Sequence, residues 1–170
     1  MTHRIVITSY SPNLDFGESL LMDVDVELTK GGWYTEEELI KNAGQADAVI
    51  CSGPSQPWTA RVIESLERCR LLASLSIGYD RIDVAAASRL GIFVANCPGK
   101  NSIAVAELVM GLLLACDRRI PDQVIDLRRG EWSKGEYSKA RGLHGRTLGI
   151  VGLGQIGREI TRRAQAFGMK

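Results

Sequence analysis

Gly152-Leu153-Gly154-Gln155-Ile156-Gly157 sets three glycines at the Gly-x-Gly-x-x-Gly spacing. That spacing does chemistry where a strand turns into a helix, because unpaired N–H groups and the positive end of the helix dipole then hold an anion. Gly152 would make the tight turn, Gly154 would let the backbone approach a pyrophosphate, and Gly157 would let the helix pack closely on the strand. The flanks supply that setting. Thr147 to Val151 reads as a buried strand, and Ile156, Ile160, Ala164 and Phe167 recur behind the glycines at helical spacing. The reading is a dinucleotide site, with a bare strand-to-helix turn as the alternative. The acidic residue that would contact the adenosine ribose belongs ~20 residues beyond the glycines, past Lys170, so NAD and NADP fit the pattern equally.

Other residues with reactive side chains offer less. Cys51, Cys69, Cys97 and Cys116 form no Cys-x-x-Cys pair, and His3 and His144 lie near neither each other nor a cysteine, which argues against zinc. Four reduced cysteines acting as small apolar residues is the simpler reading. His144 stands among polar residues with no acidic partner nearby and reads as a surface residue rather than a base.

Alternating strand and helix patterns must position these groups. Arg4 to Thr8 is a β-branched run, as in a strand covered on both faces. Val24 to Leu28 alternates and suits an edge strand. Thr35 caps a helix opening on Glu36-Glu37-Glu38, with Leu39, Ile40 and Ala43 on its apolar side. Strands follow at Asp47 to Cys51, Leu71 to Leu75 and Ile92 to Val94. Between them, a helix opens at Thr59 with Val62, Ile63 and Leu66 on one side, and another runs from Val84 to Leu90 and stops at Gly91. The loops Ser52 to Pro57 and Ser76 to Asp80 lie at carboxyl ends of strands, where open α/β sheets bind ligands. Five such strands predict a flavodoxin-like doubly wound domain over 1–98, with the boundary in the Asn96-Cys97-Pro98-Gly99-Lys100-Asn101 segment and a second domain over 99–170. That second domain opens with an apolar helix from Ser102 to Cys116. A helix with Pro121 near its start, Val124, Ile125 and Leu127 on one face and Gly130 at its end comes next, then a polar arm from Trp132 to Arg146.

Composition narrows the class. The 170 residues are 45% hydrophobic and 24% charged, with 21 basic against 20 acidic side chains, the balance of a globular protein with no field to attract nucleic acid or an anionic membrane. The N-terminal apolar run Ile5-Val6-Ile7 is too short for a signal sequence, which points to the cytoplasm. Ile103 to Cys116 contains Glu107 and falls short of the roughly 20 residues that span a bilayer, so it reads as a buried helix.

In order and spacing, several segments together resemble the D-isomer-specific 2-hydroxyacid dehydrogenases, a family that includes D-lactate, D-glycerate, phosphoglycerate and formate dehydrogenases. The segments are Ser76-Ile77-Gly78-Tyr79-Asp80-Arg81-Ile82-Asp83, Gly91-Ile92-Phe93-Val94, Asn96-Cys97-Pro98-Gly99-Lys100-Asn101, Val105-Ala106-Glu107, Arg128-Arg129-Gly130-Glu131-Trp132 and Leu148 to Gly157. Residues 70–170 carry the match, and the first 70 share only its layout. The resemblance implies an α/β chain: a flavodoxin-like substrate domain over 1–98, then the incomplete beginning of a Rossmann-type NAD(P)-binding domain over 99–170. It implies hydride transfer between NAD or NADP and a small D-2-hydroxy or 2-keto acid, in a homodimer.

The same resemblance assigns roles. Ser76, Ile77 and Gly78 would offer backbone N–H groups to the substrate carboxylate, Asn101 would lie near substrate and hinge, and Val105 would pack on the nicotinamide. Gly152, Leu153, Gly154, Gln155, Ile156 and Gly157 would hold the cofactor. On the sequence alone, a β-turn, a helix cap and core packing are the competing readings of 76–78, Asn101 and Val105. No counterpart of the family's catalytic arginine, glutamate and histidine occurs before Lys170, so no catalytic residue is expected in this chain. The loop Cys51 to Trp58 lacks the basic residues that would suit a phosphorylated substrate. A strand at 147–151 with both edges unpaired would invite aggregation, so a native chain about twice this length is expected. Two non-enzymatic readings stay beside the oxidoreductase: a dinucleotide-sensing protein of the corepressor kind, and a non-catalytic fragment.

Overall fold

The computed structural model describes residues 2–8, 23–52 and 55–170, so Gly53 and Pro54 of the predicted ligand loop lie outside the described residues. The chain divides into two compact units, Met1–Pro98 and Gly99–Lys170.

The first unit is a parallel sheet of β1 (His3–Ile7), β2 (Val26–Lys30), β3 (Ala48–Cys51), β4 (Leu71–Ser74) and β5 (Phe93–Ala95), in the order β2-β1-β3-β4-β5. This is the flavodoxin-like order read from the alternating pattern. Helices α1 (Glu36–Ala43), α2 (Ala60–Glu64) and α3 (Val84–Arg89) connect β2 to β3, β3 to β4 and β4 to β5. Val6, Leu39, Val49, Trp58, Val62, Ile63 and Leu72 are fully buried at the centre of this layer. A close-packed position such as Leu72 contributes about 2–5 kcal/mol relative to alanine.

Local chemistry explains the elements. Thr35 and Glu38 form a reciprocal capping box on α1, and the Tyr34 and Thr35 N–H groups hold the Glu38 carboxylate below its ordinary range. Asp47 accepts the Arg4 N–H at 2.8 Å and pairs with Arg68 at 3.0 Å, which fastens β1 to the start of β3. Asp83 caps α3 through the Ala86 N–H at 2.8 Å.

Two details of this unit differ from the pattern reading. The edge strand spans Val26–Lys30 rather than 24–28, because the register is set by β1, which pairs His3 with Val26, and an alternating run satisfies either frame. Thr59 stands at the N-cap of α2 without capping it, since its hydroxyl donates to the Glu36 carboxylate at 2.7 Å.

The second unit is helical: α4 (Ser102–Arg118), α5 (Ile120–Arg128), α6 (Lys134–Tyr137) and α7 (Gln155–Ala166). Met110, Leu143, Ala164 and Met169 form its small core, with Leu113, Leu114 and Leu148 packed against them. Asp117 anchors the predicted arm to α4, accepting the Gly142 N–H at 2.8 Å and pairing with Arg146 at 2.9 Å. Arg119, between α4 and α5, takes a left-handed φ of 52°, held by Asp122, Glu136 and the Tyr137 ring.

Three expectations are corrected in this unit. Residues 147–151 form no strand: the segment before them pairs with the chain end through Gly145 N–H to the Gly168 carbonyl, Lys170 N–H to the Arg146 carbonyl and Leu148 N–H to the Lys170 carbonyl, each at 2.8 Å, and none of these bonds reaches past Leu148. A ladder needs a neighbouring strand, and among the described residues of this unit there is none. Val151 is accordingly fully exposed. The helix from Ser102 is not buried all round, for it buries only Ser102, Ala106 and Met110 and exposes Ile103, Leu108 and Leu112. Val124, Ile125 and Leu127 of α5 are likewise exposed, because α5 buries no residue. Periodicity marks an apolar face but says nothing of what covers it.

Candidate functional site

In the first unit, the loop after β4 presents amide hydrogens in a defined direction. The Ser76 carbonyl accepts the Cys97 N–H at 3.0 Å, and the Ile77 carbonyl accepts the Asn96 side-chain amide at 2.8 Å. In a planar trans peptide the N–H points opposite to the C=O. The Ile77 and Gly78 N–H groups therefore face away from the 96–97 segment, and no acceptor among the described residues takes either one. Adjacent free amides of this kind form an anion-binding concavity. Ser76 serves the loop differently: its N–H donates to the Ser74 hydroxyl at 3.3 Å, and its own hydroxyl donates to the Gly78 carbonyl at 2.8 Å. Sequence reading missed Ser74, which acts on Ser76 two residues on, and Asn96, whose role depends on a fold that brings β4 and β5 side by side.

The neighbouring loop is tied to this one. Leu75 N–H donates to the Cys51 carbonyl at 2.8 Å, while Trp58 N–H donates to the Arg81 carbonyl at 2.9 Å and the Trp58 carbonyl accepts the Asp83 N–H at 2.8 Å. Burial pushes the Cys69 thiol above its ordinary range, consistent with a packing role.

In the second unit, α7 starts at Gly154, which has no side chain to cap it. The N–H groups of Gln155, Ile156 and Gly157 therefore have no acceptor among the described residues, and they lie at the positive end of a 12-residue helix. The three glycines differ in what they need. Gly152 has φ 94°, a conformation that favours glycine. Gly157 sits against the Gly152 carbonyl, where a Cβ has no room. Gly154 has φ −75° and nothing within 4 Å of where a Cβ would stand, so the protein's own packing does not require glycine there. A bound pyrophosphate would, because it needs that space, and the turn therefore fits a dinucleotide.

The remaining predicted residues of 99–170 lie in the same unit as this turn. Leu153 is 62% exposed and Ile156 half-buried, while the Gln155 side chain lies over Gly99, whose φ is 78°. Asn101 holds the N-cap position of α4 but makes no side-chain capping bond, which leaves its amide free of the role a helix cap would give it. Val105, one turn on, is half-buried rather than core. Among the described residues, no group of three His, Cys, Asp or Glu side chains is placed to hold a metal ion. No helix is long and apolar enough to cross a membrane.

The family model of the D-isomer specific 2-hydroxyacid dehydrogenase catalytic domain matches residues 7–167. The chain belongs to this family. Among its relatives, the D-3-phosphoglycerate dehydrogenase of Methanocaldococcus jannaschii is 43% identical over 85% of this chain and 27% of its own length. The hydroxypyruvate reductase of Thermotoga maritima is 42% identical over 79% of this chain and 44% of its own. The crystal structure of Aquifex aeolicus D-lactate dehydrogenase complexed with NAD and lactic acid superposes with a TM-score of 0.81 at 25% identity, over 99% of this chain and 50% of that one. This member of the 2-hydroxyacid dehydrogenases thus spans a half or less of the length of each of these three proteins.

Proposed function

We propose that this chain reads the carboxylate of a small 2-hydroxy or 2-keto acid with its 76–78 loop and holds the diphosphate of NAD or NADP with residues 152–157. It does so as part of an oxidoreductase that moves a hydride between the nicotinamide and the C2 carbon of the acid. The observation that carries the reading is the uncapped start of α7: three free N–H groups lie where Gly154 leaves a clearance that the fold itself does not need.

Each unit has its part. Met1–Pro98 is the substrate domain and Gly99–Lys170 the first part of the dinucleotide domain. The Ile77 and Gly78 amides hold the carboxylate without a buried counter-charge. Asn101 turns its free amide to the substrate and Val105 packs on the nicotinamide. When bound, the dinucleotide supplies or accepts the hydride. None of the residues named here exchanges a proton with the substrate, and their work is to hold and to orient. The relatives' activities on phosphoglycerate and hydroxypyruvate support a short 2-keto acid. A loop without lysine or arginine from Cys51 to Trp58 favours one without a phosphate.

The setting is cytoplasmic, with a second copy of the chain as partner and neither nucleic acid nor membrane. A formal net charge of +1 supports the last point, and the apolar exposure of Ile103, Leu108 and Leu112 supports the second copy. The test, on the oxidoreductase of which this chain is proposed to be part, is fluorescence titration with NADH and NADPH, followed by dinucleotide oxidation with glyoxylate, pyruvate and hydroxypyruvate. Saturable binding and acid-dependent oxidation are expected. Absence of affinity for both dinucleotides refutes the reading, and binding without turnover of any acid favours a dinucleotide sensor instead.

A further inference from the structure

Gln56 is fully buried, and all four of its hydrogen-bonding positions are filled. Its side-chain amide donates to the Thr8 carbonyl at 2.6 Å and to the Trp33 carbonyl, while its carbonyl oxygen accepts the Thr8 hydroxyl at 2.8 Å and the Ser52 N–H at 3.2 Å. Two of these partners can only accept, which fixes the orientation of the amide. One side chain thus clamps the carboxyl ends of three adjacent strands: β1 through Thr8, the segment after β2 through Trp33, and β3 through Ser52.

The clamp continues to the anion loop. Ser52 follows Cys51, and the Cys51 carbonyl accepts the Leu75 N–H at 2.8 Å, next to Ser76, Ile77 and Gly78. We propose that Gln56 is a positioning residue for substrate binding: it holds the end of β3, and through it the free amides at 77 and 78, in the place where the carboxylate is read. This inference rests on the function proposed above.

Substitution Gln56→Glu keeps the shape, but an ionised carboxylate cannot donate to the Thr8 and Trp33 carbonyls. In the full chain we expect KM for glyoxylate to rise about tenfold with a smaller change in kcat. NADH affinity should stay as in the wild type. The KM ratio between variant and wild type should grow with pH as the introduced carboxyl ionises, which a merely structural defect would not produce. Thr8→Val removes one of the four bonds and gives a milder variant, with a smaller KM rise in the same direction. Amide resonances of Ile77 and Gly78 should shift in whichever variant folds, while those of residues 152–157 do not. A pH-independent KM ratio, equal losses in KM, kcat and NADH affinity, or unshifted Ile77 and Gly78 resonances overturn the inference. A wild-type protein that oxidises no dinucleotide, but whose variants still shift those two resonances, refutes the function and leaves the positioning role standing.

Discussion

The carbonyl oxygen of Gly152 occupies the space that a Cβ on Gly157 would need. The first and third glycines of the turn are therefore one packing unit, and the middle one stands apart. This separates two roles that the motif alone runs together. Gly157→Ala must push α7 away from the turn, an overpacking cost of about 1–3 kcal/mol, and should lower both unfolding stability and NADH affinity. Gly154→Ala enters open space at an allowed φ, so denaturant unfolding should show stability unchanged or slightly raised while the NADH titration weakens. Equal stability losses for the two variants would contradict this division.

Asn96 sets the direction of the Gly78 amide by holding the Ile77 carbonyl at 2.8 Å. Asn96→Ala should raise KM for a 2-keto acid by about tenfold, the scale of one lost part-buried hydrogen bond, and leave the NADH dissociation constant unmoved. Steady-state kinetics beside a dinucleotide titration read both numbers.

Tyr137 donates its hydroxyl to Asp126, and that bond, with burial and the nearby carboxylate, pushes the phenol up to about 12. A raised folded-state value means the contribution is complete below the phenol's ordinary pKa near 10 and is lost as pH climbs through the folded value. Stability of the wild type should thus fall between about pH 10 and 12 more steeply than that of Tyr137→Phe. Phenolate absorbance, titrated in the two proteins, shows whether this group ionises last.

Asp47 runs the opposite way. The Arg4 N–H, and after it Arg68, hold its carboxyl below the ordinary carboxylate range. A depressed folded value gives stability that is present above the unfolded pKa and lost as pH falls through the folded one. Asp47→Asn should therefore lower stability at neutral pH and flatten its decline in acid, as chemical denaturation across the acid range would reveal.

Thiol accessibility orders the cysteines. Cys116 is exposed, Cys97 intermediate, and Cys51 and Cys69 buried. An aromatic disulfide reagent should label Cys116 first and reach Cys51 and Cys69 only on unfolding; early modification of Cys51, read by mass spectrometry of peptides, would contradict the packing of β3.

Much of this was legible in the residues. Strand-helix alternation, Thr35 ahead of three glutamates, Gly91 after α3 and the glycine spacing at 152–157 each act through neighbours close in sequence, so local chemistry suffices to read them. Family resemblance suggested the roles proposed above for 76–78, Asn101 and Val105, which spacing could not supply. Tertiary structure alone decided the rest. The register of β2 belongs to β1, the strand expected at 147–151 has no neighbouring strand to pair with in its unit, and the apolar faces of α4 and α5 meet solvent. Asn96 and Gln56 became meaningful only when distant segments were brought within hydrogen-bond range. A backbone hydrogen bond or a buried amide is satisfied by whichever group the fold delivers, and one residue's type does not say which group that will be.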